Sequence, residues 1–395
     1  MADSKRLAFV PPRYGDEVVG GSEALMREAA HGLAGRGWEV DVLTTCARDH
    51  YTWANAYPPG EFETGGLTVR RFPTVHDTDP MVADAVLRRI LVGVPVSAEE
   101  ELSWVTGFFR VPELYHHLVA QGAGYRAVIL SPYLFWTTVV GATACPERTV
   151  VVPCLHDEAF AYLSIFRPVL ADVAQVWFLS EPEHELAHRL GPVAADHSVV
   201  GCGVPIPARY DPEGFRARHG LGSRPFVLYA GRREALKGWD DLLRGYTTAV
   251  TRLGVDIDLV TVGVGTVDPP ESVAGRVVDL GFLPEDEVAD AFAAAAAYLQ
   301  PSPNESFSRT VMESWLAGTP VIASSAGAVV EWHCRRSGAG IVYRDDDELA
   351  ECLALAADAP ERLAALGRRG RDYVLANYTW DAVLDRMEAA LGTLP

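Results

Sequence analysis

The chain reads as an α/β protein built from two doubly wound parallel-sheet domains that face each other across a cleft. Three observations predict this. Short runs that are apolar throughout recur along the sequence, as expected of parallel strands covered on both faces. Helical stretches alternate with them. The series breaks at a Pro/Gly-rich stretch, VVGCGVPIPARYDPEG (Val199 to Gly214), and then starts again.

In order, Leu7–Val10 is the first strand, followed by the loop GDEVVGGSE and a helix from Ser22 to about Arg36. Ser22 is the expected N-cap, and Gly35 and Gly37 suit the helix end. WEVDVLTT, LTVRRFPTV, Ala127–Ser131, Thr149–Pro153 and Gln175–Ser180 are the further strands of the first half. After the break come PFVLYAG, DIDLVTVG, RVVDLGF, AYLQPS, PVIASS and AGIVY, with helices between, the first being KGWDDLLRGYTTAV. Leu363 to Leu391 is helical, interrupted at Asn377-Tyr378-Thr379. In such sheets ligands bind beyond the carboxyl ends of the strands, which places the expected site in the cleft.

Bulk properties narrow the class. A length of 395 residues suits two domains, and 49% hydrophobic with 22% charged residues is ordinary for a globular protein. A formal net charge of -19 argues against nonspecific nucleic-acid binding and against a strong hold on anionic lipid. The six scattered cysteines, with no CxxC, read as reduced thiols in a cytoplasmic protein. The N-terminus has no signal-peptide pattern, and no stretch has the length of a transmembrane helix. The apolar segment Met81–Val96, with Arg88 and Arg89 inside it, leaves peripheral membrane contact open, although core packing accounts for it more simply.

The most informative stretch is PSPNESFSRTVMESWLAGTPVIA, Pro301 to Ala323. Glu305 lies in a loop, and Glu313 lies in the apolar helix that follows and is expected to be buried. Ionised carboxylates accept hydrogen bonds from vicinal hydroxyls, so the pair suits a sugar and a ribose. GRREALKG places Arg232 and Lys237 after a strand and before a helix, where cations stabilise a departing diphosphate. A solvated surface turn is the alternative there. Gly20-Gly21 permits close backbone approach to phosphate or sugar, though a plain tight turn is the commoner use. His156, with Asp157 and Glu158, ends a strand, as a proton-handling group or as a structural histidine. His50, Tyr51 and Trp53 form either an acceptor patch of aromatic faces or ordinary loop packing. The Asp77/Asp79, Asp256/Asp258 and Asp345/Asp347 pairs do not make a convincing metal-holding motif, and no metal requirement is expected.

Taken in order, the GG loop, the HDE strand end, GCGVP, GRREALKG, GFLPEDEV and the Pro301–Ala323 stretch resemble the retaining GT-B glycosyltransferases, and within them family four. The resemblance spans essentially the whole chain. It implies an acceptor-binding domain over 1–205, a nucleotide-sugar-binding domain over 206–376, and a terminal helix, 377–395, that crosses back to the first domain. It implies that Arg232 and Lys237 clamp the donor diphosphate, that Glu305 contacts the donor sugar and that Glu313 holds the ribose. Phe307, Ser308 and their neighbours would offer backbone N–H groups, Gly21 would lie against the diphosphate, and His156 would line the reaction centre. The acceptor side would include Asp157 and Glu158. The sequence departs from the usual Glu-Gly-Phe-Gly, having Glu305-Ser306-Phe307-Ser308 followed by Arg309. Arg309 either faces an anionic group or, as the simpler expectation, lies exposed at the surface.

The function expected is therefore metal-independent, retaining transfer of a sugar from a nucleotide diphosphate sugar to a hydroxyl acceptor, with no cofactor and a UDP-sugar favoured over a GDP-sugar. The acceptor would be a glycan precursor, a lipid-linked intermediate or a small natural product such as an aminocyclitol. The rival readings are a sugar-nucleotide epimerase or a phosphorylase on the same fold, and a non-catalytic sugar-nucleotide sensor.

Overall fold

The computed structural model describes residues 5–394, which fall into two compact units, one running to Gly203 and resuming at Trp380, the other Val204–Thr379.

The first unit is built on an eight-stranded sheet. Its strands are β1 (Arg6–Val10), β2 (Glu39–Thr45), β3 (Gly60–Thr64), β4 (Leu67–Phe72), β5 (Ala127–Leu130), β6 (Thr149–Val151), β7 (Gln175–Phe178) and β8 (His197–Val199). Their spatial order is β3-β4-β2-β1-β5-β6-β7-β8, parallel except for the β3–β4 hairpin. β3 is missing from the sequence expectations because GEFET alternates charges along an exposed edge instead of forming an apolar run. Gly65 and Gly66, at φ 57 and 80, make the tight turn that pairs it with β4. The helices are α1 (Gly21–Gly35), α2 (Pro80–Leu91), α3 (Ala98–Phe108), α4 (Pro112–Gln121), α5 (Trp136–Val139), α6 (Arg167–Ala171) and α7 (Glu181–Leu190). One apolar core includes Val10, Leu43, Trp53, Trp104, Phe109, Leu130 and Phe178.

The second unit holds β9 (Phe226–Ala230), β10 (Asp258–Val262), β11 (Val277–Asp279), β12 (Ala297–Gln300), β13 (Val321–Ser324) and β14 (Gly340–Tyr343). All pairings are parallel, in the order β11-β10-β9-β12-β13-β14. Its helices are α8 (Pro212–Arg218), α9 (Trp239–Thr251), α10 (Glu285–Ala294), α11 (Arg309–Leu316), α12 (Ala328–Ser337), α13 (Asp346–Asp358) and α14 (Pro360–Asn377). Numbering β9 as the first strand gives the 3-2-1-4-5-6 order of a doubly wound nucleotide-binding sheet. The strand order reverses between β9 and β12, and the crevice beyond their carboxyl ends is where such sheets take ligand.

The last helix, α15 (Trp380–Thr393), belongs to the first unit. Arg36 holds Asp385 at 2.6 Å and Glu388 at 2.8 Å, and Trp380 donates to Glu28 at 2.8 Å. Gln175 and Arg126 donate to the backbone carbonyls of Ala390 and Leu391, which satisfies carbonyls that a helix end otherwise leaves open.

Candidate functional site

In the second unit, β9 ends at Ala230 and the chain turns through Arg232 to a short 3-10 turn, Ala235–Lys237, before α9. Gly238 takes a left-handed conformation, φ 73, at the head of α9. A side-chain carbon there would lie 2.5 Å from the Pro301 carbonyl oxygen, so only glycine lets this turn press against the loop after β12. The result is a direct contact: Lys237 Nζ donates to Glu305 Oε1 at 2.8 Å and to the Asn304 carbonyl at 3.1 Å. The two side chains meet at the strand-order reversal, joining the loop after β9 to the loop after β12. Arg232 is placed differently. It stays half-exposed, 3.4 Å from Glu234, while its carbonyl accepts from Tyr229 Oη at 2.5 Å. Burial raises the Tyr229 phenol pKa, and the Glu305 charge adds to the effect.

The loop from Pro301 to Ser308 is tied down by local contacts. Ser308 caps α11 in the left-handed region, φ 69, where an L side chain costs about 1–2 kcal/mol. Its hydroxyl accepts from buried Gln300 Nε2 at 2.6 Å, which anchors the serine to the end of β12. Ser306 is buried beside it. The Phe307 side chain is also buried, with its ring edge-on to His333 (5.3 Å) and Tyr378 (4.9 Å). His333 Nδ1 lies 3.0 Å from Tyr373 Oη. Burial, with the Arg336 charge second, pushes its pKa down to about 3, so His333 is a neutral packing partner at ordinary pH.

Two expectations for α11 need correction. Glu313 is half-exposed and not buried, because Val311, Met312, Ser314, Trp315 and Leu316 take the core-facing positions around it. Arg309 is not a surface arginine: its side chain is only 17% exposed and its Nε lies 3.9 Å from Glu313 Oε1, one turn along the helix.

In the first unit, Gly20 precedes α1 and Gly21 opens it, with no side-chain cap. Ser22 is therefore not the N-cap; its hydroxyl donates to Glu23 Oε2 at 2.8 Å. Glu23 is buried and paired with buried Arg13, which also donates to the Arg48 carbonyl at 3.1 Å. A side chain at Gly20 would collide with Glu23, whereas Gly21 faces open space. The Arg13–Glu23 pair was not anticipated. Its signal was present, since Arg13 follows β1 much as Arg232 follows β9.

His156 is partly exposed, with Nδ1 3.6 Å from Glu158 Oε1, and Tyr133 Oη donates to the same oxygen at 3.0 Å. Asp157 accepts from Tyr162 at 2.7 Å and from Arg189 at 3.3 Å. Beneath this loop, buried Glu183 accepts from the Leu155 and Leu179 amides at 2.6 and 2.5 Å, tying the ends of β6 and β7 together. Burial pushes its carboxyl up to about 8 against those donors. His50 and Tyr51 lie ring to ring at 3.9 Å, with Tyr51 73% exposed. Trp53 does not share that surface. It is 4% exposed, stacked on Phe109 at 4.1 Å and edge-on to Phe135, so the core covers its faces.

Members of all three aspartate pairs have structural partners: Asp77 holds Arg110, Asp79 and Asp345 cap helices, Asp256 and Asp258 hold Arg224, and Asp347 holds Arg252. None of the six cysteines forms a disulfide. Among the described residues no helix is long and apolar enough to cross a membrane. α2 buries Ala83, Val86 and Ile90 but exposes Met81, Val82 and Leu91.

Residues 224–358 match the family model described as glycosyl transferases group 1. The chain is 32% identical over 411 aligned residues to D-inositol 3-phosphate glycosyltransferase 1 of Catenulispora acidiphila, covering 96% of this chain and 91% of that protein. Sucrose-phosphate synthase from Thermosynechococcus elongatus shares the fold, with TM-score 0.74 and 20% identity over 98% of both chains. So does Anabaena HepE in complex with UDP-glucose, with TM-score 0.72 and 17% identity over 98% of this chain and 100% of that one. Two Rossmann-like units of this kind define the GT-B class. The chain belongs to the group 1 glycosyltransferases, of the family four type, and is a glycosyltransferase.

Proposed function

We propose that this glycosyltransferase moves a sugar from a nucleotide diphosphate sugar to a hydroxyl acceptor, with retention of anomeric configuration and without a metal ion. The observation that carries the reading is the Lys237–Glu305 contact at the β9/β12 reversal. A lysine ammonium has three donors. Two are committed to Asn304 and Glu305, leaving one for a phosphate oxygen. Arg232, half-exposed nearby in sequence, supplies a second cation, and the backbone N–H groups at the head of α11 beyond Ser308 supply neutral donors. Together they stabilise the negative charge that grows on the diphosphate as the glycosidic bond breaks. With that charge met by the protein, no divalent ion is required.

Glu305, held by Lys237, accepts from donor-sugar hydroxyls, and Glu313, held by Arg309, accepts from the ribose. The acceptor hydroxyl attacks on the face the diphosphate leaves, and a leaving phosphate oxygen takes its proton. The first unit is the acceptor side, with His156, Asp157 and Glu158 at the end of β6 and His50 and Tyr51 after β2 as its contacts. Gly20 and Gly21, at the head of α1, offer backbone to substrate on that side. A cyclitol-type acceptor fits the relative named for D-inositol 3-phosphate, and a UDP-sugar fits the HepE complex. The exposed apolar residues of α2 favour peripheral membrane contact for a lipid-linked acceptor.

The test is release of nucleoside diphosphate from UDP- and GDP-sugars in chelator, with and without cyclitol, glycan and lipid-linked acceptors, followed by the anomeric configuration of the product. Acceptor-dependent release with retention is expected. Release that needs added divalent metal, or an inverted product, would overturn the corresponding part.

A further inference from the structure

Among the described residues, one group of metal-ligating side chains gathers on the first unit: His184, His188 and His197, whose ligand nitrogens all lie within 4.8 Å of one another. Helix α7 supplies two of them, four residues apart and so on one face. Strand β8 supplies the third, at the edge of the sheet, where β8 pairs with β7. His184 and His188 bring their Nε2 atoms to 3.0 Å. The His197 ring stacks on His184 at 5.0 Å and meets His188 edge-on at 5.3 Å.

The outer nitrogen of His197 is anchored as those of imidazole ligands usually are, and that of His184 faces a carboxylate. His197 Nδ1 lies 2.9 Å from the Ala194 carbonyl, which only accepts, so Nδ1 donates there and Nε2 is the nitrogen left to ligate. His184 Nδ1 faces Glu181 Oε2 at 3.7 Å.

We propose that His184, His188 and His197 form a site for Zn2+ or another imidazole-preferring divalent transition ion, which pins helix α7 to edge strand β8. Zn–N bonds of about 2.0–2.1 Å in a tetrahedral site require ligand nitrogens roughly 3.4 Å apart. That spacing lies between the 3.0 Å of the His184–His188 pair and the 4.8 Å limit of the group, so small side-chain rotations close the set. The ring that donates in the His184–His188 contact moves its proton to Nδ1, which on His184 faces Glu181. Each imidazole offers one ring nitrogen to the ion, and water completes the coordination. His197 opens β8, at the amino end of the parallel strands, whereas His156 lies beyond the carboxyl end of β6. The site is therefore a clamp on the fold and stands independently of the donor and acceptor assignments.

The test titrates chelator-treated, buffer-exchanged full-length protein with Zn2+ alone by calorimetry, and with Co2+ alone by its visible spectrum, and follows thermal unfolding with and without Zn2+. One equivalent should bind, Co2+ should give a spectrum of tetrahedral intensity, and Zn2+ should raise the melting temperature. His188→Ala and His197→Ala, checked for folding by circular dichroism, should each weaken binding by at least about tenfold and abolish the Co2+ spectrum. Absence of saturable binding would overturn the proposal, as would a double variant that binds Zn2+ like the parent.

Discussion

Lys237 and Glu305, sixty-eight positions apart in sequence, are joined by a 2.8 Å ion pair at the point where the strand order of the second sheet reverses. The pair is about three-quarters or more removed from solvent on both sides, so it is better shielded than a surface salt bridge. If both residues serve the donor, their effects on catalysis are coupled. Glu305→Gln should lower kcat by about 100-fold. Lys237→Met should do the same, and the double variant should lose less than the product of the two. Strict additivity in a double-mutant cycle on kcat/KM would show that the pair does not act as a unit.

The contact depends on Gly238. Gly238→Ala puts a methyl group on the Pro301 carbonyl and forces a left-handed residue to carry a side chain. A loss of more than about 1 kcal/mol in stability is expected. Turnover should also fall, because Pro301 and Glu305 share one loop. Thermal unfolding and initial rates on the same preparation check this, and a variant with parental values for both would contradict the role given to the glycine.

Ser308 stands where the family usually has glycine. Ser308→Ala keeps the strained backbone but removes the acceptor for buried Gln300, at a cost of about 1–3 kcal/mol. Ser308→Gly loses the same hydrogen bond but relieves the strain, so it should be the milder change. Chemical denaturation of both variants gives the order. Ser308→Gly as the more damaging change would mean that the backbone strain is negligible.

His333 sets an acid limit on the second unit. Its folded pKa, about 3, lies below its ordinary value of 6.5, so the unfolded chain takes up a proton first as pH falls. The stabilisation is fully present above about pH 6.5 and is lost progressively as pH drops toward about 3, on the order of 5 kcal/mol in all. His333→Phe should flatten this part of the stability–pH curve even if it lowers the plateau through loss of the Tyr373 contact. An unchanged slope in the variant would place the acid sensitivity elsewhere.

Much of the architecture is legible in the one-dimensional pattern. Wholly apolar runs such as FVLYA and AVIL can be buried on both faces only inside a parallel sheet, and the glycines and prolines between them mark the turns. β3 escaped because an edge strand needs no apolar face, and Ser22 misled because the Gly20-Gly21 backbone starts α1 one residue earlier. The exposure of Arg309 and Glu313 was also misjudged, since helical spacing gives neighbours but not which face the core takes.

By itself the sequence determined the residue types on offer after each strand: Arg232 and Lys237 after β9, Glu305 after β12, and His156 after β6. Strand order, and with it which loops become neighbours, was decided only by the tertiary structure. Pairing in a sheet depends on contacts between residues far apart in the chain, and no local pattern encodes them. That ordering set β9 beside β12 and brought Lys237 to Glu305. It drew Trp53 into the core away from Tyr51, and it gathered three histidines from a helix and an edge strand onto one face.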